Sequence, residues 1–373
     1  MNMDTKKVLT ANLKPGMVSS EAAYTFSNHL VIQSNTTLTT DIIDKLKYYA
    51  VKSIKIYITE NGPYIANQNE EDSSSETDNS DETSTYFERI QRSDEYKEFT
   101  EIFKTSVEKF KKEINELVIK NTTDVIDDML QEVNTILFKA RNPLHLLDMM
   151  QCLHGYDDMT YMHSMNVALI CHVIGSWINL SPADINTLVT CGLLHDIGKL
   201  KIPVKIITKP GKLTDEEFEL VRSHPQLGYD ILSAKNLDER IKLTALQHHE
   251  RINGSGYPNH LTAPEIHPFS AIVAIADVYD AMTSNRVYRK GMCPFTVIAT
   301  FEKEKELYDP GLLYLFMQRT VEAYINTEVL LSNDERGKVV MINQTLPSRP
   351  VVVTEHNTYD LSRNSNIDIV ALI

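Results

Sequence analysis

Apolar residues recur along this chain with two rhythms, and the change of rhythm divides it. From Tyr96 onward they repeat every three or four positions. Phe99, Phe103, Val107, Phe110, Ile114 and Leu117 make one stripe, and Val125, Met129, Val133, Ile136 and Leu137 a second. That spacing gathers them on one face of a helix, so a predominantly helical region is expected over about 87–326. Its helices carry start signals. Ser181-Pro182-Ala183-Asp184 offers a hydroxyl cap, a proline at the first helical position and a carboxylate at the third, and Thr214-Asp215-Glu216-Glu217 reads as a capping box.

On either side the runs are shorter. Val8-Leu9, His29–Ile32 and Ser53–Ile58 read as strands around a Lys14-Pro15-Gly16 turn, and Asp41–Ala50 carries Ile42, Ile43 and Leu46 at helical spacing. Residues 1–64 should form a small mixed α/β domain. After Thr327, β-branched runs at Val339–Ile342, Val351–Val353 and Ile367–Val370 alternate with turn residues, which predicts a small β appendage over 327–373. Between the first domain and the helices, Glu70–Glu82 holds seven acidic residues, no cation and no apolar residue. Such a tract buries too little surface to offset its ordering entropy, so 65–86 is expected to be a flexible linker.

Charge narrows the partners. The 373 residues carry a formal net charge of −14, half of it in the acidic tract. A long nucleic acid needs a cationic face and is excluded. A small phosphate ligand is not, because metal ions and a few cations can reverse the field inside one cleft. Cys152, Cys171, Cys191 and Cys293 show no CxxC spacing and read as free thiols of a reducing compartment. Met1–Lys7 is polar with no apolar leader behind it, and the longest apolar run, Val167–Ile178, falls short of the roughly 20 residues that span a bilayer. A cytoplasmic protein without a membrane span is expected.

The chemistry is concentrated in the helical region. His195-Asp196-Ile197-Gly198-Lys199 pairs an imidazole with a carboxylate able to bridge two cations, beside an ammonium suited to a phosphate. Gly198 removes side-chain bulk where a backbone must come close to something. His248-His249 adds two imidazoles about 100° apart on a helix, so they serve different ions or different sides of one cluster. His163 lies on the helix of Val167, Ile170, Ile174 and Trp177. His224 ends the helix begun at Thr214, where alone it would favour the negative end of the dipole. Asp277 sits in an apolar segment, where a cation is the natural remedy for a buried carboxylate. Singly, each has an ordinary structural explanation. Together the five imidazoles and two carboxylates suit iron, manganese or zinc better than calcium or magnesium.

The order of these motifs resembles the HD-GYP proteins, a branch of the HD superfamily of metal-dependent phosphohydrolases. The match runs over about 150–320: His163, the His195–Lys199 motif, His224 with Gly228, His248–Glu250 leading through Asn253-Gly254-Ser255-Gly256 to Tyr257-Pro258, then Asp277 with Arg286 and Arg289. The resemblance implies a mainly α fold, an all-helical HD-type phosphohydrolase bundle, that hydrolyses cyclic di-GMP to the linear dinucleotide, GMP or both. It implies His163, His195, Asp196, His224, His248, His249 and Asp277 as metal ligands, with Asp196 bridging, and Lys199 as the catalytic contact to the scissile phosphate. Asn253, Gly254, Gly256, Tyr257, Pro258, Arg286 and Arg289 would line the substrate. Two departures stand out. Met159 occupies the place where some members have a glutamate for a third metal, with Asp157 and Asp158 off that position, so two divalent ions are expected, iron or manganese foremost and zinc as a further candidate. Asn253 replaces the usual loop aspartate.

Two cations sharing a water would supply hydroxide at neutral pH for an in-line attack, while Lys199 and the arginines offset phosphate charge. The alternatives are a mixed guanine-adenine cyclic dinucleotide as substrate, or a non-catalytic cyclic-dinucleotide receptor or scaffold. A signalling protein is a candidate partner through the glycine-rich loop or the N-terminal domain.

Overall fold

The structure, a computed structural model, describes residues 4–24, 30–40, 42–43, 46, 51, 53–59, 62–63, 85–120, 123–153, 159–209, 211–284 and 291–373. The chain is mainly α, with small sheets at both ends. The acidic stretch 64–84, most of the 41–50 segment, Asp157, Asp158, Arg286 and Arg289 lie outside the described residues.

Near the N-terminus, β1 (Asp4–Leu9), β2 (Ala23–Tyr24), β3 (Leu30–Ile32), β4 (Ser53–Thr59) and β5 (Gly62–Pro63) form two antiparallel pieces, β1-β4-β5 and β2-β3. Asp4 pairs with Ile58 and Leu9 with Ser53. Leu38, Leu46, Ile54 and Ile56 are buried in a core separate from that of the helices.

The helical region begins with α1 (Tyr86–Arg92), closed by a capping box between Thr85 and Glu88. The two expected stripes fall on α2 (Asp94–Lys120) and α3 (Val125–Leu137), which pack together; every stripe residue is buried except Leu137, which is half-buried. Next come α4 (Pro143–Gln151), α5 (Met159–Trp177) and α6 (Pro182–Leu194). Ser181 caps α6 by accepting from the Asp184 amide at 3.2 Å. At Gly192 a Cβ would lie 2.7 Å from Ala168 Cα, so this glycine lets α6 press against α5. A 3₁₀ turn (Ile197–Lys201) leads to α7 (Val204–Ile207), α8 (Asp215–Arg222), α9 (His224–Ser233), α10 (Glu239–Gln247), α11 (Pro268–Thr283), α12 (Pro294–Lys303) and α13 (Pro310–Glu322). The Thr214 capping box is present.

His224 differs from expectation. It does not end α8 but opens α9, with Pro225 in the first turn, where a missing N–H costs no hydrogen bond. The helix-dipole argument for it therefore fails, and its position serves the site instead.

The C-terminal strands β6 (Glu328–Leu331), β7 (Arg336–Met341), β8 (Val351–Thr354), β9 (Thr358–Asp360) and β10 (Ile369–Leu372) form one antiparallel sheet ordered β10-β6-β7-β8-β9. Two of them, β6 and β9, carry no alternation long enough to read from the sequence. Val329, Leu331, Val339, Val352, Ile369 and Leu372 join the same apolar core as the helices. All four cysteines are free thiols. No described helix is long and apolar enough to cross a membrane.

One buried cluster ties α1 to this core. Asp148 accepts hydrogen bonds from Tyr86 at 2.6 Å and Tyr324 at 2.9 Å. Burial pushes its carboxyl up to about 6, against the two tyrosine hydrogen bonds. The folded state thus holds a proton that the unfolded chain releases near pH 4. This stabilisation is complete below about pH 4 and is lost as pH rises through about 6, some ~3 kcal/mol in all. Urea unfolding of wild type and Asp148→Asn should therefore show a wild-type advantage that shrinks by about that amount between pH 4 and pH 7; a difference independent of pH would refute it.

Candidate metal centre

Five chain segments converge on one point. His163 comes from α5; His195 is the C-cap of α6, and Asp196 follows it as the backbone leaves the helix. His224 opens α9, His248 caps α10 with His249 directly behind it, and Asp277 projects from α11. Gly198 allows the convergence. A Cβ there would lie 1.9 Å from the His224 carbonyl oxygen and 2.6 Å from the Gly228 nitrogen, so the 3₁₀ turn and α9 are in backbone contact.

Asp196 is the centre. Its Oδ1 is 3.2 Å from His224 Nε2 and 3.7 Å from His248 Nε2. Its Oδ2 is 3.4 Å from His195 Nε2 and 3.6 Å from His163 Nε2, and accepts from Lys199 Nζ. Two ligand groups result: Asp196, His224, His248 and His249; and His163, His195 and Asp196. His248 and His249 thus fall in one group, their ring centroids 4.2 Å apart. Asp277 belongs to neither compact group but touches both, 3.1 Å from His163 Nε2 and 3.8 Å from His249 Nδ1.

The imidazole tautomers follow from the backbone. Nδ1 of His195, His224 and His248 lies 2.8, 2.7 and 3.0 Å from the carbonyl oxygens of Gly192, Val221 and Ala245. A carbonyl only accepts, so each Nδ1 carries a proton, and in the neutral imidazole each Nε2 keeps its lone pair. Those lone pairs point inward, and the Nε2 atoms of His224 and His248 face each other at 3.1 Å. His195 Nε2 and Asp196 Oδ1 are buried without a hydrogen-bond partner. Such an arrangement needs a cation, and the nitrogen/oxygen donor set fits a divalent transition metal.

The field agrees. Burial alone would raise the carboxyls, but Lys199 and His195 hold Asp196, and His163 holds Asp277, well below the usual carboxylate range. Burial opposes a charged His163, yet Asp277 and Asp280 push it up to about 10. His248 goes the other way, held well below its usual value by burial and the neighbouring imidazoles, while burial takes His249 down to about 3. The pocket favours positive charge at its centre and neutral imidazoles on one side.

Two positioning roles emerged only from the structure. Asp280, one turn beyond Asp277 on α11, accepts from His163 Nδ1 at 2.7 Å, Asn166 Nδ2 at 2.8 Å and Ser284 Oγ at 2.8 Å. It orients His163 in the manner of a carboxylate behind a metal-bound histidine. Asp280→Asn should lower metal affinity about 10- to 100-fold, read by metal competition; unchanged affinity would reduce Asp280 to a packing residue. Glu250, buried next to His249, accepts from the Asn259 and Leu261 amides at 2.7 and 3.0 Å and so staples the glycine-rich loop.

That loop folds against the centre. Gly254 adopts φ +78°, and at Gly256 a Cβ would lie 2.4 Å from Arg251 N and Glu250 Cα. Tyr257, joined to Pro258 by a cis peptide, stacks on His249 with ring centroids 4.7 Å apart and planes at 27°. Asn253 is exposed, and its Oδ1 accepts from the Ser255 amide at 3.0 Å and hydroxyl at 2.7 Å. An aspartate could accept the same bonds, so the asparagine leaves the turn intact.

Residues 143–312 match a family model described as the HD domain. The chain is similar to a cyclic di-GMP phosphodiesterase of Pseudomonas aeruginosa, 35% identical over 221 residues, 59% of this chain and 52% of that protein. It is also similar to a cyclic di-GMP phosphodiesterase of Thermotoga maritima, 38% identical over 208 residues, 54% of this chain and 52% of that protein. A 3′3′-cGAMP-specific phosphodiesterase of Vibrio cholerae is 38% identical over 132 residues, 35% of this chain and 25% of that protein. The chain spans about half the length of the first two relatives.

Proposed function

We propose that this chain, whose residues 143–312 match the HD domain family model, is a metal-dependent phosphodiesterase of the HD-GYP type that hydrolyses cyclic di-GMP. The observation that carries this reading is the inward-facing set of His163, His195, Asp196, His224, His248, His249 and Asp277 beneath the Tyr257 loop. In this reading these seven residues hold two divalent ions, iron or manganese before zinc, with Asp196 shared between them. Bound there, the ions would lower the pKa of a common water and offset charge on the phosphate in the transition state.

The chain's own groups do the rest. Lys199 reaches the centre from the 3₁₀ turn and is placed to neutralise a non-bridging phosphate oxygen, as it neutralises Asp196 here. In this reading Asn253, Gly254, Gly256, Tyr257 and Pro258 would line the substrate, with Tyr257 already stacked on His249, and Arg286 and Arg289 would be further phosphate contacts. Water adds to phosphorus and the bond to the 3′ oxygen breaks, which gives the linear dinucleotide; cutting the second diester gives GMP.

Chromatography of products from iron- or manganese-loaded protein tests this. Linear dinucleotide should accumulate, and no turnover with the metal sites filled would end the proposal. Similarity to the Vibrio cholerae cGAMP-specific protein motivates a second substrate reading, the mixed guanine-adenine dinucleotide. Competing both nucleotides in one reaction separates the two.

A further inference from the structure

The ring of Tyr257 has a second partner besides His249. The guanidinium carbon of Arg222 lies over it, 4.7 Å from the centroid. Arg222 ends α8, and the adjoining carbonyl of Val221 accepts the Nδ1 proton of His224. One turn of chain therefore orients a metal-site imidazole and sends a cation toward the glycine-rich loop.

We propose that Arg222 is a further substrate-binding residue, whose guanidinium contacts the phosphodiester of the cyclic dinucleotide that is not being cut. This rests on the functional reading above. A cyclic dinucleotide carries two phosphodiesters, and while one sits over the ions the other lies to the side and needs its own positive charge. Arg222 stands one aromatic ring away from the metal ligand His249. Its side chain is 31% exposed, so solvent reaches part of it. A guanidinium held over an aromatic ring retains N–H donors that can meet a phosphate as a planar fork. Its ion partner, Glu219 at 2.9 Å, is 65% exposed and one turn away on the same helix. Such a surface pair contributes little and yields readily to a phosphate.

Steady-state kinetics of Arg222→Ala and Arg222→Lys in the metal-loaded full chain, with metal content and melting temperature alongside, test the assignment. Arg222→Ala should raise KM for cyclic di-GMP by about 10- to 100-fold, the scale of a lost charge-assisted hydrogen bond, with kcat falling less than about threefold. Arg222→Lys should recover only part of the loss, because an ammonium keeps the charge without the stacked fork. Full metal content in both variants supports the proposal. A KM within about twofold of wild type, or a loss of metal that accounts for the whole defect, overturns it. If the metal-loaded wild type turns over no cyclic dinucleotide, the functional reading falls and takes the proposal with it. Wild-type turnover with an unmoved KM in Arg222→Ala overturns the proposal alone.

Discussion

Asp196→Asn is expected to abolish metal binding at the centre and to lower turnover by at least about a thousandfold, or some 4 kcal/mol of transition-state stabilisation. The reason is geometric. Each carboxylate oxygen of Asp196 serves a different half of the cluster, Oδ1 facing His224 and His248, Oδ2 facing His195 and His163. An amide offers one neutral oxygen and an NH₂ that cannot ligate a metal, so one half loses its donor outright and the other keeps only an uncharged one. The remaining imidazoles would then face two dications with Asp277 as the sole carboxylate among the seven. The fold itself should survive, since the new amide can donate to a bare imidazole Nε2 and so remove an unpaired lone pair. Metal stoichiometry, turnover and circular dichroism together check this. A variant that keeps two ions per chain and more than a tenth of wild-type turnover would remove Asp196 from the role of shared ligand.

The candidate donors were legible as a set, through an order of motifs that resembles the HD-GYP proteins, while singly each had an ordinary structural explanation. Seven side chains that the sequence singles out, 114 positions apart from His163 to Asp277, come together at one point. The helices that bring them there were legible too, through apolar stripes such as that of α2. What escaped was whatever depended on a specific tertiary partner. Asp280 is simply three residues beyond Asp277, as Asn166 is three beyond His163; those spacings place each pair on one helix face, but not which helices meet. Glu250 looks like any acidic motif residue until its oxygens are seen on two amides nine and eleven residues ahead. Arg222 reads as an ordinary last-turn cation, and only the fold lays it over Tyr257.

His224 shows a signal present and misread. Counted from the capping box at Thr214, His224 falls where that helix would end. The proline instead marks the first turn of the next. At the chain's end, β6 and β9 escaped for a different reason. They are four and three residues long, and they pair because β7, β8 and β10 offer them edges. A short strand without its own alternation is a product of the sheet.

Gly198→Ala should be the most damaging methyl group that can be added to this protein near its site. The added carbon would start 1.9 Å from the His224 carbonyl oxygen and 2.6 Å from the Gly228 nitrogen, both backbone atoms that no rotamer change can move. Relief requires the 3₁₀ turn and α9 to separate by more than an ångström. Asp196 and Lys199 would travel with the first, His224 with the second, and the 3.2 Å contact between Asp196 Oδ1 and His224 Nε2 would open. Overpacking of this kind costs about 1–3 kcal/mol of stability. The functional loss should exceed it, at about a hundredfold or more in turnover, because ångström displacements at a reacting centre weigh that heavily. Gly228 supplies the control. It lies on the other side of the same contact, yet a Cβ there meets nothing closer than 3.3 Å, and φ is not positive. Gly228→Ala should therefore keep turnover within about threefold of wild type and stability within about 1 kcal/mol. Parallel measurement of metal content, unfolding and product formation in the two variants decides the matter. Equal defects in both would mean that helix loosening, and not the collision at Gly198, controls the centre.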